Sequence, residues 1–345
     1  MNKTYTILLL IIIAAIVVVT HVGNQEKTPQ VVGVILPLSG PAGDIGQKVK
    51  LSLELPQLKN ISMEFQDDEC DAKKAVSAYN ALRLKGIKVY YAACSGSVLA
   101  LAPLIKADGN LLLVTFAGSS EIRKTGPEVI RFNPDALSVV SEMNSYIDTA
   151  PFAKYGLLYE AQDYPKSVAD SVRTKLGNKL IVEETYDAKN ISFKTELLKF
   201  KGKVDAIVFV PVSDRAEKIL LNDAKVLGIN AFIIGDINVC DYEFKPSAVG
   251  LSGVCWKTKL PDDKQKKFDD IYLAKYGNAS PYPFYDAIAY DMMTELDKAM
   301  ARNATVSELQ SKFIGGVTGP ISSYRFDKDG EVVADEYLEM FEMKP

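Results

Sequence analysis

Two α/β lobes are what this chain predicts, and three observations predict them. Short runs of β-branched residues or leucine alternate with stretches of helical periodicity along most of its 345 residues, the pattern of parallel sheets joined by right-handed crossovers. About 320 residues remain once an apolar N-terminal leader is set aside, more than one hydrophobic core usually serves. The last part of the chain then turns mainly helical, so the polypeptide crosses between the lobes more than once and leaves a cleft with a hinge.

The leader comes first. Met1-Asn2-Lys3 precedes an apolar run from Tyr5 to Val19 that carries no charge, which marks an exported protein. A cleaved signal peptide and a retained anchor over residues 5–22 both fit; the run is near the lower limit of a membrane span, and no clear small-residue cleavage site follows Val19. The anchor is the preferred reading, with a polar tether after it, and the membrane is met only through this segment.

The first lobe is expected to place strands at 31–36, 62–65, 89–92 and 111–114, with helices at 72–85 and 98–107. Ala72, Ala75, Val76, Tyr79, Leu82 and Leu84 recur at helical spacing, Gly86 stops the helix, and the apolar residues 87–92 follow as a strand. The second lobe is expected at strands 155–159, 181–186, 206–210 and 232–235, with helices at 136–146, 166–175, 193–200 and 214–227. The tail reads as helices 262–276, 282–302 and 305–314, then strands near 321–326 and 332–341.

Export places the four cysteines, Cys70, Cys94, Cys240 and Cys255, in an oxidising compartment, where they allow three pairings. Sequence order favours Cys70–Cys94 and Cys240–Cys255, buried free thiols being the alternative. A Cys70–Cys94 bridge would bring together the two ends of a helix–strand unit. It would also brace Ser95 at the carboxyl end of a strand, where open α/β sheets bind ligands.

Several function classes fall away. Hydrophobic residues make up 48 % and charged residues 24 %, and the net charge is −4 with no basic stripe, so nucleic acid is not an expected partner. The only histidine is His21, beside the leader, and the chain has no G-x-S-x-G elbow, P-loop or G-x-G-x-x-G. No enzyme chemistry is therefore expected. Asp67-Asp68 and Asp269-Asp270 read as solvated or turn carboxylates. No CxxC or nearby histidine completes a metal-ligand set, and no cofactor is implied.

The motifs in their order resemble a known family, the type I periplasmic substrate-binding proteins of ABC transporters, in particular the leucine/isoleucine/valine-binding branch. The resemblance is carried by Val32-Gly33-Val34-Ile35-Leu36-Pro37-Leu38-Ser39-Gly40-Pro41, then Asp67-Asp68-Glu69-Cys70-Asp71, Cys94-Ser95 and Gly109-Asn110-Leu111-Leu112-Leu113-Val114. It continues through Leu158-Tyr159-Glu160, Asp163-Tyr164 and Tyr285-Asp286-Ala287. It implies a type I clamshell, each lobe a mostly parallel sheet flanked by helices, with a multi-strand hinge. The first lobe would comprise 30–132 and 259–319, and the second 133–258 and 320–345, after a leader and tether over 1–29.

The resemblance also implies a site. Ser95 matches the serine that holds a ligand carboxylate or similar polar group, and Phe116, Ala117, Gly118 and Ser119 occupy the loop that shares this task. Hydroxyl and amide dipoles can hold a carboxylate in a buried cleft without a full countercharge. The competing role of Ser95 is capping the helix over 98–107. Tyr164 matches an aromatic from the second lobe, with packing on Pro165 as its alternative. Asp236, just past a strand, is the candidate to meet a ligand amine, with turn formation or helix capping as its alternative.

Three positions depart from the family pattern: Ile45 where an aromatic is frequent, Val212 beside Ser213 where a polar or aromatic contact is usual, and Gly118 where Thr or Ser is common. The segment 47–60 is short, so its helix should end near Pro56. The implied function is extracytoplasmic capture of a small polar ligand, an amino acid or a related amide or carboxylate compound, for an ABC transporter permease. A rival from another class is a ligand-sensing receptor subunit that reports to a separate signalling partner.

Overall fold

A computed structural model describes residues 29–187, 189, 192–212, 214–240, 252–333 and 338–343. Two twisted sheets dominate it. In the first half of the chain, β1 (Gln30–Leu36), α1 (Gly43–Glu54), β2 (Ile61–Asp67), α2 (Ala72–Arg83), β3 (Val89–Ala92), α3 (Ser95–Ala107), β4 (Leu111–Val114) and β5 (Val129–Arg131) alternate. Their sheet has the order β2-β1-β3-β4-β5 and every pairing is parallel. Strands β3 and β4 are buried along their whole length, which is why they read as continuous apolar runs rather than alternating ones.

The second sheet follows α4 (Ala136–Thr149). It comprises β6 (Tyr155–Glu160), α5 (Asp163–Leu176), β7 (Leu180–Tyr186), α6 (Lys194–Phe200), β8 (Ala206–Val210), α7 (Asp214–Leu227), β9 (Phe232–Gly235), the single turn α8 (Ile237–Cys240) and β10 (Gly253–Thr258). The tail contributes α9 (Asp262–Tyr276), α10 (Pro283–Met300), α11 (Val306–Ile314), the two-residue strands β11 (Val317–Thr318) and β12 (Ser323–Tyr324), and β13 (Leu338–Met343). Strand order is β13-β10-β9-β8-β6-β7, with β13 antiparallel to β10 at the edge. The fold is thus a two-lobed α/β structure.

Helix α10 carries three buried carboxylates: Asp286 and Asp297 fasten it to the first lobe, and Asp291 holds the tail's own residues 321–324. Asp286 accepts from Ser52 Oγ at 2.5 Å and Ser280 Oγ at 2.5 Å. Asp297 accepts from the N–H groups of Lys59, Asn60 and Ile61 at 2.9, 2.7 and 3.1 Å, which pins the start of β2. Asp291 accepts from the N–H groups of Ile321 and Ser322, both at 2.8 Å, and from the Tyr324 hydroxyl at 2.9 Å. Ile321, Ser322 and Tyr324 are thus held by α10, while β13 pairs with β10 in the second sheet.

Most expected elements appear within a few residues of their expected bounds, and α1 ends before Pro56. Strands β5 and β10 were not foreseen. The strand expected over 321–326 shrinks to Ser323–Tyr324, paired with Val317–Thr318; of the one expected over 332–341, residues 334–337 lie outside the described residues and Leu338–Met343 is a strand. Among the described residues no helix is long and apolar enough to cross a membrane. The leader, including residues 5–22, lies outside the described residues.

Candidate functional site

The disulfide and one buried carboxylate build the first wall of the cleft. Cys70 and Cys94 are bonded, with their Cα atoms 5.5 Å apart. Asp68, at the end of β2, accepts from Ser97 Oγ at 2.5 Å and from the Cys70 N–H at 3.1 Å, and burial pushes its carboxyl above the usual range. These bonds fix the N-terminus of α3 against the end of β2. Cys255 is also disulfide-bonded; the side chain of Cys240, its expected partner, lies outside the described residues.

Ser95 is the first residue of α3, and Cys94 is the capping position. Its hydroxyl is therefore not spent on the cap: Ser95 Oγ accepts from the Ser119 N–H at 3.1 Å, joining the two segments that sequence reasoning assigned to the ligand. Phe116 adopts φ +73°, in the left-handed region, and its ring stacks on Tyr285 at 4.7 Å and meets Tyr282 edge-on at 5.9 Å. Both tyrosines belong to the start of α10, whose first-turn Asp286 also accepts from the Tyr282 N–H at 3.3 Å. Burial raises the Asp286 carboxyl to about 6.

The opposite wall comes from the second sheet, and two buried carboxylates organise it. Asp236 follows β9 and accepts from the Tyr164 hydroxyl at 2.9 Å, from the Asn238 N–H at 3.1 Å and from Asn238 Nδ2 at 3.3 Å. Glu160, at the end of β6, accepts from Gln162 Nε2 at 2.8 Å, the Val212 N–H at 3.1 Å and the Tyr186 hydroxyl at 3.2 Å. Burial raises the Glu160 carboxyl.

Between the walls lies a cavity of about 100 Å³. Ser95, Gly96, Phe116, Gly118, Tyr282 and Tyr285 face it from one side, and Gln162, Asp163, Tyr164, Val212, Ile237 and Asn238 from the other. Among the described residues no lysine, arginine or histidine lines it, so an anionic group there would rest on the hydroxyl and amide dipoles of those residues. Of the residues picked from sequence, Ser95, Phe116, Gly118 and Tyr164 line the cavity. Ala117, Ser119 and Asp236 are buried behind it. Asp236 is the clearest departure from expectation, because it faces Tyr164 and Asn238 rather than the cavity.

The walls touch. A Cβ added to Gly118 would lie 2.6 Å from Cδ2 of Tyr164, and one added to Gly96 would lie 2.7 Å from Oδ2 of Asp163. Gly118, a departure from the family pattern, is thus the seat of a second-lobe ring. The other two departures, Ile45 and Val212, also line the cavity. Sequence reasoning missed Tyr282, Gln162 and Asn238 as lining residues. The aromatic cluster Tyr282-Pro-Phe-Tyr285 at a helix start was a usable signal for the first; Gln162 and Asn238 carried none.

Comparison with known proteins decides the family, since the periplasmic binding protein family model matches residues 29–338. The chain belongs to that family. A curated relative, the Leu/Ile/Val-binding protein homolog 3 of Brucella melitensis, is 22 % identical over 229 residues; the match spans 62 % of this chain and 62 % of that protein's length. Among solved structures, the solute-binding protein of an ABC transporter from R. palustris in complex with benzoate superposes with a TM-score of 0.79 at 18 % identity, covering 92 % of this chain and 94 % of that one. The branched-chain amino acid transporter substrate-binding protein LivJ from Streptococcus pneumoniae, in complex with isoleucine, gives a TM-score of 0.76 at 21 % identity, covering 92 % and 96 %. At these identities the likeness shows the fold alone, that of the type I periplasmic binding proteins.

Proposed function

We propose that this periplasmic binding protein captures a small polar ligand, an amino acid or a related amide or carboxylate compound, between its lobes and delivers it to the permease of an ABC transporter. The observation that carries this reading is the facing of Ser95 and Gly118 with Tyr164 and Asn238 across one cavity. The carboxylate pole rests on the Ser95 hydroxyl, the first amides of α3 and the Gly118 N–H, for which no protein acceptor is recorded among the described residues. The other pole meets Tyr164, whose hydroxyl is aimed by Asp236; Asp236 acts through the tyrosine. Structural relatives complexed with isoleucine and benzoate support a compact ligand bearing a carboxylate.

Closure then follows from differential affinity. A ligand that bonds both walls favours the shut cleft, because both sets of contacts exist together only there. The protein works on the extracytoplasmic face, with residues 5–22 as its tie to the membrane.

A thermal-shift screen with amino acids, short amides and small carboxylates tests this, since a compound bound only by the folded state raises the melting temperature. At least one carboxylate is expected to do so. A flat screen on demonstrably folded protein would overturn the ligand class.

A further inference from the structure

The loop behind the ligand wall is fastened in an unusual way. All three carbonyls of 117–119 are taken by the segment 131–136, which leads out of the first sheet toward α4. Arg131 Nη1 donates to Ser119 O at 2.7 Å and to Ala117 O at 3.3 Å. Asn133 Nδ2 also donates to Ala117 O, at 3.3 Å, and the Ala136 N–H donates to Gly118 O at 2.6 Å. Arg131 is fully buried, so each of these bonds forms without competing water.

The same guanidinium faces a second chain segment on its way to the second sheet. Arg131 Nε donates to Glu331 Oε2 at 2.8 Å, and Nη2 is bonded to the same carboxylate oxygen. The backbones run side by side there, with the Arg131 N–H on Gly330 O at 2.9 Å and the Val332 N–H on Arg131 O at 3.1 Å. Gly330, at φ +85°, brings its backbone against Val129 O, where a side chain would not fit. Asp135 completes the cluster: its Oδ2 lies 3.5 Å from Arg131 Nη2 and is bonded by Arg123 Nε, while Oδ1 caps α4 through the Leu137 N–H at 3.0 Å.

We propose that Arg131 is a positioning residue for ligand binding: paired with Glu331, it locks the 117–119 loop to both chain segments that run from the first sheet toward the second, so that ligand wall and hinge hold one geometry. The ion pair itself is not a source of much stability, since desolvating two charges offsets their attraction. Its effect is directional. Without Glu331 the guanidinium keeps Asp135, 3.5 Å away, as its carboxylate partner among the described residues and turns to it, leaving the Ala117 and Ser119 carbonyls unpaired and the Ser119 N–H less firmly presented to Ser95. The idea rests on the cleft being the ligand site, but the loop's anchoring is measurable without any ligand.

Hydrogen exchange read by mass spectrometry on the whole chain, as wild type, Glu331→Ala and Glu331→Gln, provides the test. In Glu331→Ala, exchange across 116–119 is expected to speed up on the order of tenfold, while β1 and β3, in the same sheet, keep their wild-type rates. Glu331→Gln, which retains an acceptor for Arg131, should recover most of the protection. Unchanged exchange at 116–119 in a folded Glu331→Ala chain would overturn the proposal. So would equal acceleration of 116–119, β1 and β3, because the pair would then affect overall stability alone. Failure of the ligand reading would appear instead as a flat thermal-shift screen with this exchange pattern intact.

Discussion

Substituting Gly118 with alanine puts the closed cleft to a direct test. The new Cβ would stand 2.6 and 2.7 Å from Cδ2 and Cε2 of Tyr164, where ordinary carbon contacts need about 3.5 Å or more. The ring must recede by about 1 Å, yet its hydroxyl is held by Asp236 at 2.9 Å and cannot swing away cheaply. Overpacking of this kind costs about 1–3 kcal/mol. Because the clash exists only when the walls meet, opening the cleft relieves it, and the cost falls on the closed state alone. Affinity for the compound found by thermal shift should therefore drop roughly 5- to 150-fold, with the melting temperature of the ligand-free protein nearly unchanged. Titration calorimetry reads the first quantity and scanning calorimetry the second. Adding Tyr164→Ala to Gly118→Ala should remove the clash, giving a coupling energy in a double-mutant cycle. Unchanged affinity, or a lowered ligand-free melting temperature with no affinity loss, would refute the reasoning.

Ser95→Ala removes both the acceptor for the Ser119 N–H and a hydroxyl facing the cavity; affinity should fall about tenfold, as for the loss of one charge-assisted hydrogen bond, and equal affinity in calorimetry would discard the carboxylate pole. Breaking the Cys70–Cys94 bond with a pair of alanines frees a loop with a sequence separation of 24 and should cost about 3 kcal/mol in denaturant unfolding; a loss within error of zero would show that the bridge does not brace this unit. Burial raises the carboxyls of Asp286 and Asp291 to about 6, above the ordinary value of 3.8. The native state then holds protons that the unfolded chain has released, so their contribution to stability is full below about pH 4 and is lost as pH rises through about 6. Between about pH 4.5 and pH 7, wild type should lose on the order of 1–3 kcal/mol relative to Asp291→Asn, and parallel pH profiles for the two in guanidinium unfolding would contradict this.

Much of the fold was legible because the chemistry is repetitive. Strands buried on both faces, such as β3 and β4, leave continuous apolar runs, and Gly86 at φ +78° ends a helix pattern as glycine does. Strand β5 escaped because it has only three residues and ends in Arg131, a charge that reads as surface until Glu331 is seen beside it. The tail misled for a related reason: residues 321–332 are placed by the side chains of Asp291 and Arg131, and such long-range bonds leave no periodicity.

The site was legible in its first wall and less so in its second. Ser95 and the 116–119 loop sit beside strand ends that the pattern fixed. Asp236 was expected to meet a ligand amine, but it lies behind the cavity against Tyr164 and Asn238, which come from different elements and meet only in the folded chain. The seat of the Tyr164 ring on Gly118 likewise needs both lobes at once.

The central claim is that this cleft holds the ligand. A crystal structure of the chain with the compound that most raises its melting temperature tests it most directly. The account predicts the compound between the lobes, its carboxylate within about 3.2 Å of Ser95 Oγ and its other end against Tyr164. A compound bound elsewhere on a folded chain, with the cavity beside Ser95 filled only by water, would contradict it.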